Sequence, residues 1–130
     1  MATVEVSFPG GVQVAARVGS FDILTDQPAE DGGKDAAPSP YDLFLSSVAT
    51  CAGFYALRFC QERQLPTEGL AIALDIERHP DTRRLETISM KLSLPKDFPE
   101  KYQRAILRSI DQCSVKKALS DPPEIELSVS

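Results

Sequence analysis

The chain has 130 residues, 42% of them hydrophobic and 25% charged, and a formal net charge of -5. That is the size and make-up of one globular domain, residues 1–130, and it excludes a disordered or fibrous chain. The acidic balance argues against a grip on phosphate backbones or anionic lipid, which needs a basic face, so neither nucleic acid nor a membrane is expected as a partner.

The opening MATVEVSFPGG has no basic stretch leading into an apolar run, so no secretory signal or transit peptide is read and the expected location is cytoplasmic. Thr3 to Phe8 and Val12 to Val18 alternate apolar with small or polar residues around the turn cluster Pro9-Gly10-Gly11, which predicts a β-hairpin. Phe21 to Thr25 adds a third short strand. From Asp26 to Ser39 the run DQPAEDGGKDAAPS has the composition of an exposed loop or flap.

Ser39-Pro40 then opens the longest helical signal, with a Ser at the cap, Pro at the first helical position and Asp42 in the first turn. It is expected to run to about Gln64, before Pro66 and Gly69. Its middle, LFLSSVATCAGFYALRFC, is apolar nearly all round, the pattern of a helix buried on most sides. A membrane span is disfavoured, because Asp42, Arg58, Ser46, Ser47 and Thr50 interrupt the roughly 20 apolar residues that a span needs.

Leu70 to His79 and Leu85 to Leu94 form a second predicted hairpin around Pro80-Asp81-Thr82-Arg83. A second helix is expected from Pro99 to Gln112, where Tyr102, Ile106, Leu107 and Ile110 recur at three- and four-residue steps. A short helical turn follows Cys113, and Glu124 to Val129 alternates as a final strand. The order βββαββαβ is an α+β plan in which a single copy leaves the apolar helix poorly covered, so a homodimer is expected.

With one His and no ligand-spaced cluster of His and carboxylates, no metal is expected and the chemistry falls to the cysteines, Cys51, Cys60 and Cys113. Cys51 and Cys60 lie nine residues apart, two and a half helical turns at about 100° per residue, and so face opposite ways. Cys51 shares its side with Ser47, Val48, Phe54, Tyr55 and Arg58. Each cysteine also reads as a small buried hydrophobe, and Cys60 keeps that reading.

The stretch PSPYDLFLSSVATCAGF resembles the OsmC/Ohr family, in which a proline-led acidic segment enters a central helix with a Cys about three turns in. QCSVKKAL is similar to that family's second Cys motif, and the loop DQPAEDGGKDAAPSP to its glycine-containing approach. The two cysteines stand 62 residues apart, as 113 minus 51, similar to the family's separation. The resemblance implies an intertwined homodimer, with two long central helices back to back and sheets that both chains build. It implies a peroxidatic Cys51 that becomes a sulfenic acid, a resolving Cys113, and a dithiol reductant of lipoyl or thioredoxin-like type. No cofactor is implied.

An ordinary thiol, with a pKa of about 8.5, is only a few per cent thiolate at neutral pH, so Cys51 needs help to ionise. The resemblance implies an Arg from the N-terminal sheet and a Glu entering the helix. Tyr41 stands where that Glu is expected, with Asp42 the nearest carboxylate, and Arg17 is the only basic residue of the first hairpin. Arg58 is the other candidate cation; His79, beside Pro80, reads as a turn residue. The leading function is therefore a peroxidase acting on organic hydroperoxides or hydrogen peroxide, with Cys51, Cys113, Arg17 and Asp42 as its site. The alternatives are a non-peroxidatic OsmC-like small-molecule-binding or stress-response protein, to which Tyr41 lends support, and a cysteine hydrolase, which lacks a His base other than His79.

Overall fold

In the computed structural model, which describes residues 2–130, the sequence alternation appears as five strands and the helical periodicity as three helices. The order is β1 (Val4–Gly10), β2 (Gln13–Val18), β3 (Phe21–Thr25), α1 (Pro40–Glu62), β4 (Ala71–Arg78), β5 (Leu85–Ser93), α2 (Gln103–Ile110) and α3 (Ser114–Ser120). This is a mixed α+β fold with small antiparallel sheets. Two compact units, residues 1–46 and 47–130, divide within α1.

In the first unit β1, β2 and β3 form an antiparallel meander. Gly11, at φ 57°, and Gly19, at φ 59°, supply the left-handed residues of its two turns. Val4 pairs with Val18 and Val6 with Ala16, and the register slips between Ser7 and Gly10, around Pro9, which has no N–H to donate. Apolar side chains on this sheet stay open to solvent, including Val6 (54%), Phe8 (77%) and Phe21 (72%).

The loop after β3 is ordered by one carboxylate. Asp26, 2% exposed, accepts the backbone N–H groups of Gln27 (2.8 Å), Lys34 (3.2 Å) and Ala36 (3.1 Å), while its own N–H donates to the Pro38 carbonyl. The N–H groups of Gln27 and Ala36 hold its carboxyl below the usual carboxylate range, against the opposing pull of burial. Gly33 is required by close approach, since a Cβ there would stand 1.8 Å from the Gln27 carbonyl oxygen. The loop then delivers Ser39 to the start of α1. The Ser39 hydroxyl accepts the Asp42 N–H at 3.1 Å and the Asp42 carboxylate accepts the Ser39 N–H at 3.2 Å, a reciprocal capping box.

In the second unit α1 stops at Glu62, two residues before the expected end. Gln64, in the left-handed region at φ 52°, turns the chain so that the Leu65 N–H bonds the Cys60 carbonyl. β4 and β5 pair so that Ile72, Leu74 and Ile76 meet Leu92, Met90 and Ile88 on one half-buried face. The core gathers Ala56, Phe59, Cys60 and Ile106, with Leu70, Leu92, Phe98 and Tyr102 packed around them. The Arg63 guanidinium lies 3.6 Å from the centre of the Phe59 ring and closes the end of this cluster.

One expectation is corrected. Glu124–Val129 forms no strand: residues 122–130 have no regular structure, and Ile125, Leu127 and Val129 are 82%, 93% and 100% exposed. Two-residue alternation specifies a strand only where a neighbouring edge supplies the ladder, and this segment pairs with neither sheet. Helix α1 is covered on one side only within one chain, as expected of a single copy: its buried residues, Val48, Ala52, Ala56, Phe59 and Cys60, make a single stripe, while Phe54 and Leu57 are exposed. The hairpin and α2 are enough to cover one side of a 23-residue helix only. By length and composition alone α1 is long and apolar enough to cross a membrane.

Candidate active site

Two segments of the second unit build the site. Cys51 projects from α1 about three turns after its start, and Cys113 precedes α3, where the chain leaves α2 with the Asp111 N–H bonded to the Leu107 carbonyl and the Cys113 N–H to the Ile110 carbonyl. The backbone of Cys113, at φ -52° and ψ 123°, is not helical. That turn aims the first amides of α3 back at the two sulfur atoms. Cys51 is half-buried, Cys113 is 1% exposed, and both thiols are free.

Burial works against a charge on Cys51, yet hydrogen bonds overcome it. The Cys113 thiol, the Val115 N–H, and the hydroxyl and N–H of Ser114 all favour the thiolate, and together they bring Cys51 below the ordinary thiol range. The Ser114 Oγ lies 4.0 Å from the Cys51 Sγ. Cys113 moves the other way: burial, its hydrogen bond to Cys51 and the charge on that neighbour push its thiol up, against the Lys116 and Val115 N–H groups.

The groups that lower Cys51 are neutral donors, not cations. Arg58 pairs with Glu62 at 2.8 Å on the exposed surface and lies over the Phe54 ring at 5.9 Å. In the first unit, Arg17 is held in a two-pronged pair with Asp22, both bonds at 2.8 Å, and Asp42 is engaged in the cap of α1. Tyr41, 38% exposed, sets its ring 5.5 Å from that of Phe44. His79 is a turn residue as read: its Nδ1 accepts the Asp81 and Thr82 N–H groups at 3.1 Å. Cys60 is fully buried in the core, where burial raises its thiol.

Sequence reasoning missed Ser114 and the amides of Val115 and Lys116. The signal was present, because whatever brings two cysteines together also brings the residue after each. A cavity of about 260 Å³ is lined by Ala52, next to Cys51 in sequence, by Ile88 and Met90 of β5, and by Leu107 and Ile110 of α2. Asp111 and Lys116, an ion pair, also line it. Among the described residues no cluster of His, Cys, Asp or Glu could hold a metal ion.

A profile described as OsmC-like protein matches residues 32–128. A comparison with curated proteins found no match. Solved structures share the fold. A Psychrobacter arcticus 273-4 protein, described as an osmotic stress induced and detoxification response protein, aligns with TM-score 0.76 and 23% identity over 91% of this chain and 88% of its own. The OsmC like protein of Mycoplasma pneumoniae gives 0.72 and 14% over 92% and 86%. The organic hydroperoxide resistance protein OhrB of Bacillus subtilis gives 0.54 and 17% over 93% of each chain. At these identities the solved structures speak for the fold, and the profile, running from the loop before α1 almost to the C-terminus, speaks for descent: the chain belongs to the OsmC-like protein family.

Proposed function

We propose that this protein is a thiol peroxidase, on the strength of one observation: two free thiols from distant parts of the chain meet, the Oγ of Ser114, next to Cys113, lying 4.0 Å from the Cys51 Sγ, with Cys51 lowered and Cys113 raised. A low thiol attacks a peroxide, and a protonated neighbour within bonding reach resolves the product. The Cys51 thiolate takes the terminal peroxide oxygen, giving a sulfenic acid and an alcohol or water. The Cys113 thiol then condenses with it, forming the disulfide and releasing water. A dithiol of lipoyl or thioredoxin-like type returns both thiols by exchange. The resistance to organic hydroperoxides in the description of the Bacillus subtilis relative supports this reading.

In the same proposal the protein works as a cytoplasmic homodimer. The exposed apolar residues of β1 and β3, the open face of α1 carrying Phe54 and Leu57, and the unpaired Ile125, Leu127 and Val129 support a second copy that covers them. Asp42 belongs to the same proposal by fixing the start of α1, and Arg17 as the cation that the family resemblance implies.

Cumene hydroperoxide consumed with a dithiol reductant tests the proposal. Activity is expected to vanish in Cys51→Ser, and Cys113→Ser is expected to complete one turnover and stop as a sulfenic acid that dimedone traps. Native protein that consumes no peroxide, with Cys51 unmodified, overturns the reading and favours the binding-protein alternative to which Tyr41 lends support.

A further inference from the structure

We propose that Ser114 is a catalytic residue of this site, its hydroxyl holding the hydroperoxide against the Cys51 sulfur and stabilising the oxygen that leaves. The inference rests on the peroxidase reading. Its basis is the 4.0 Å between the Ser114 Oγ and the Cys51 Sγ, together with exposure: Ser114 is exposed, Val115 half-buried and Cys113 1% exposed. Among the side chains that hydrogen-bond the sulfur, the hydroxyl is the one that an entering molecule meets.

The distances suit the reaction. A peroxide oxygen poised for attack stands about 3–3.5 Å from the sulfur, and an ordinary O–H···O bond is about 2.8 Å long. Those two lengths and the observed 4.0 Å separation close a triangle, so one peroxide oxygen can touch both groups without either moving. The chemistry suits it as well. A backbone N–H only donates, whereas a hydroxyl both donates and accepts. Ser114 can therefore accept the O–H of the hydroperoxide while the neighbouring amides of Ser114 and Val115 keep the sulfur ionised.

The step balances. An electron pair of the Cys51 thiolate forms the S–O bond to the terminal oxygen, the O–O bond breaks, and its pair leaves on the alkoxide. Sulfur is oxidised to the sulfenic acid and the peroxide is reduced. The alkoxide takes a proton from water, leaving hydroxide, and the Ser114 hydroxyl donates a hydrogen bond to it and ends unchanged. Such a bond is strongest when charge appears on the leaving oxygen, and so acts on the transition state.

The test compares two reactions of one thiolate, both measured at pH values above the Cys51 midpoint, where the ionised fraction no longer varies. Sulfenic acid formation by cumene hydroperoxide is expected to slow about 10- to 100-fold in Ser114→Ala, the loss of a hydrogen bond to a charged group. Alkylation by iodoacetamide, which needs no such donor, is expected to stay within about twofold, and Ser114→Thr to restore the peroxide rate. Equal losses in both reactions, or no loss in either, overturn the role of Ser114. A native protein that alkylates normally but ignores peroxide overturns instead the peroxidase reading.

Discussion

Cys51 and Cys113 carry the same side chain, yet the structure moves their acidities apart, lowering the first and raising the second. The difference lies in what surrounds each sulfur. Cys51 collects donors from Cys113, Ser114 and Val115, while Cys113 is almost fully buried and donates to the charge on its neighbour.

Alkylation across pH, followed by peptide mass, is expected to show a lower midpoint for Cys51 than for Cys113. Cys113→Ala removes a donor to the thiolate and should raise that midpoint; Arg58→Ala should leave it in place, because Arg58 is paired with Glu62 in solvent. An unmoved midpoint in Cys113→Ala would refute the cause assigned here. For stability the signs oppose. The lowered Cys51 stabilises the fold above the unfolded thiol pKa and loses that contribution as pH falls through its folded value, whereas the raised Cys113 stabilises below the unfolded pKa and loses its share as pH rises through its own.

The loop before α1 depends on the backbone approach at Gly33. Gly33→Ala places a methyl group 1.8 Å from the Gln27 carbonyl oxygen, and the loop must shift away from the Asp26 carboxylate. A loss of about 1–3 kcal/mol in urea unfolding is expected, comparable to overpacking elsewhere. Asp26→Asn should speed proteolytic cleavage within residues 26–38, since an amide offers one acceptor oxygen where the carboxylate uses two. Unchanged stability and cleavage in both variants would count against this account.

Ile106 is fully buried beside Ala56, Phe59 and Cys60. Ile106→Ala is expected to cost about 2–5 kcal/mol, the range for a large aliphatic truncated in a packed core. A loss under about 1 kcal/mol would mean that α2 is not anchored as described. Since Leu107, on the same helix, is 55% exposed, Leu107→Ala serves as the control and should cost much less.

The sequence by itself determined the elements whose cause is local: both hairpins, from two-residue alternation around Gly and Pro turns, and α1, from its Ser39 and Asp42 cap. It also marked Cys51 and Cys113 through a resemblance that the OsmC-like profile bears out. Only the tertiary structure decided what surrounds the Cys51 sulfur, because the donors come from a turn 62 residues away and depend on the path of the chain from α2 into α3. The same holds at both ends of the chain's apolar pattern. Ile125, Leu127 and Val129 alternate as a strand does, but alternation says nothing about whether an edge pairs with it, and among the described residues none does. Periodicity fixes the direction in which a side chain points; only the packed chain determines what it meets there.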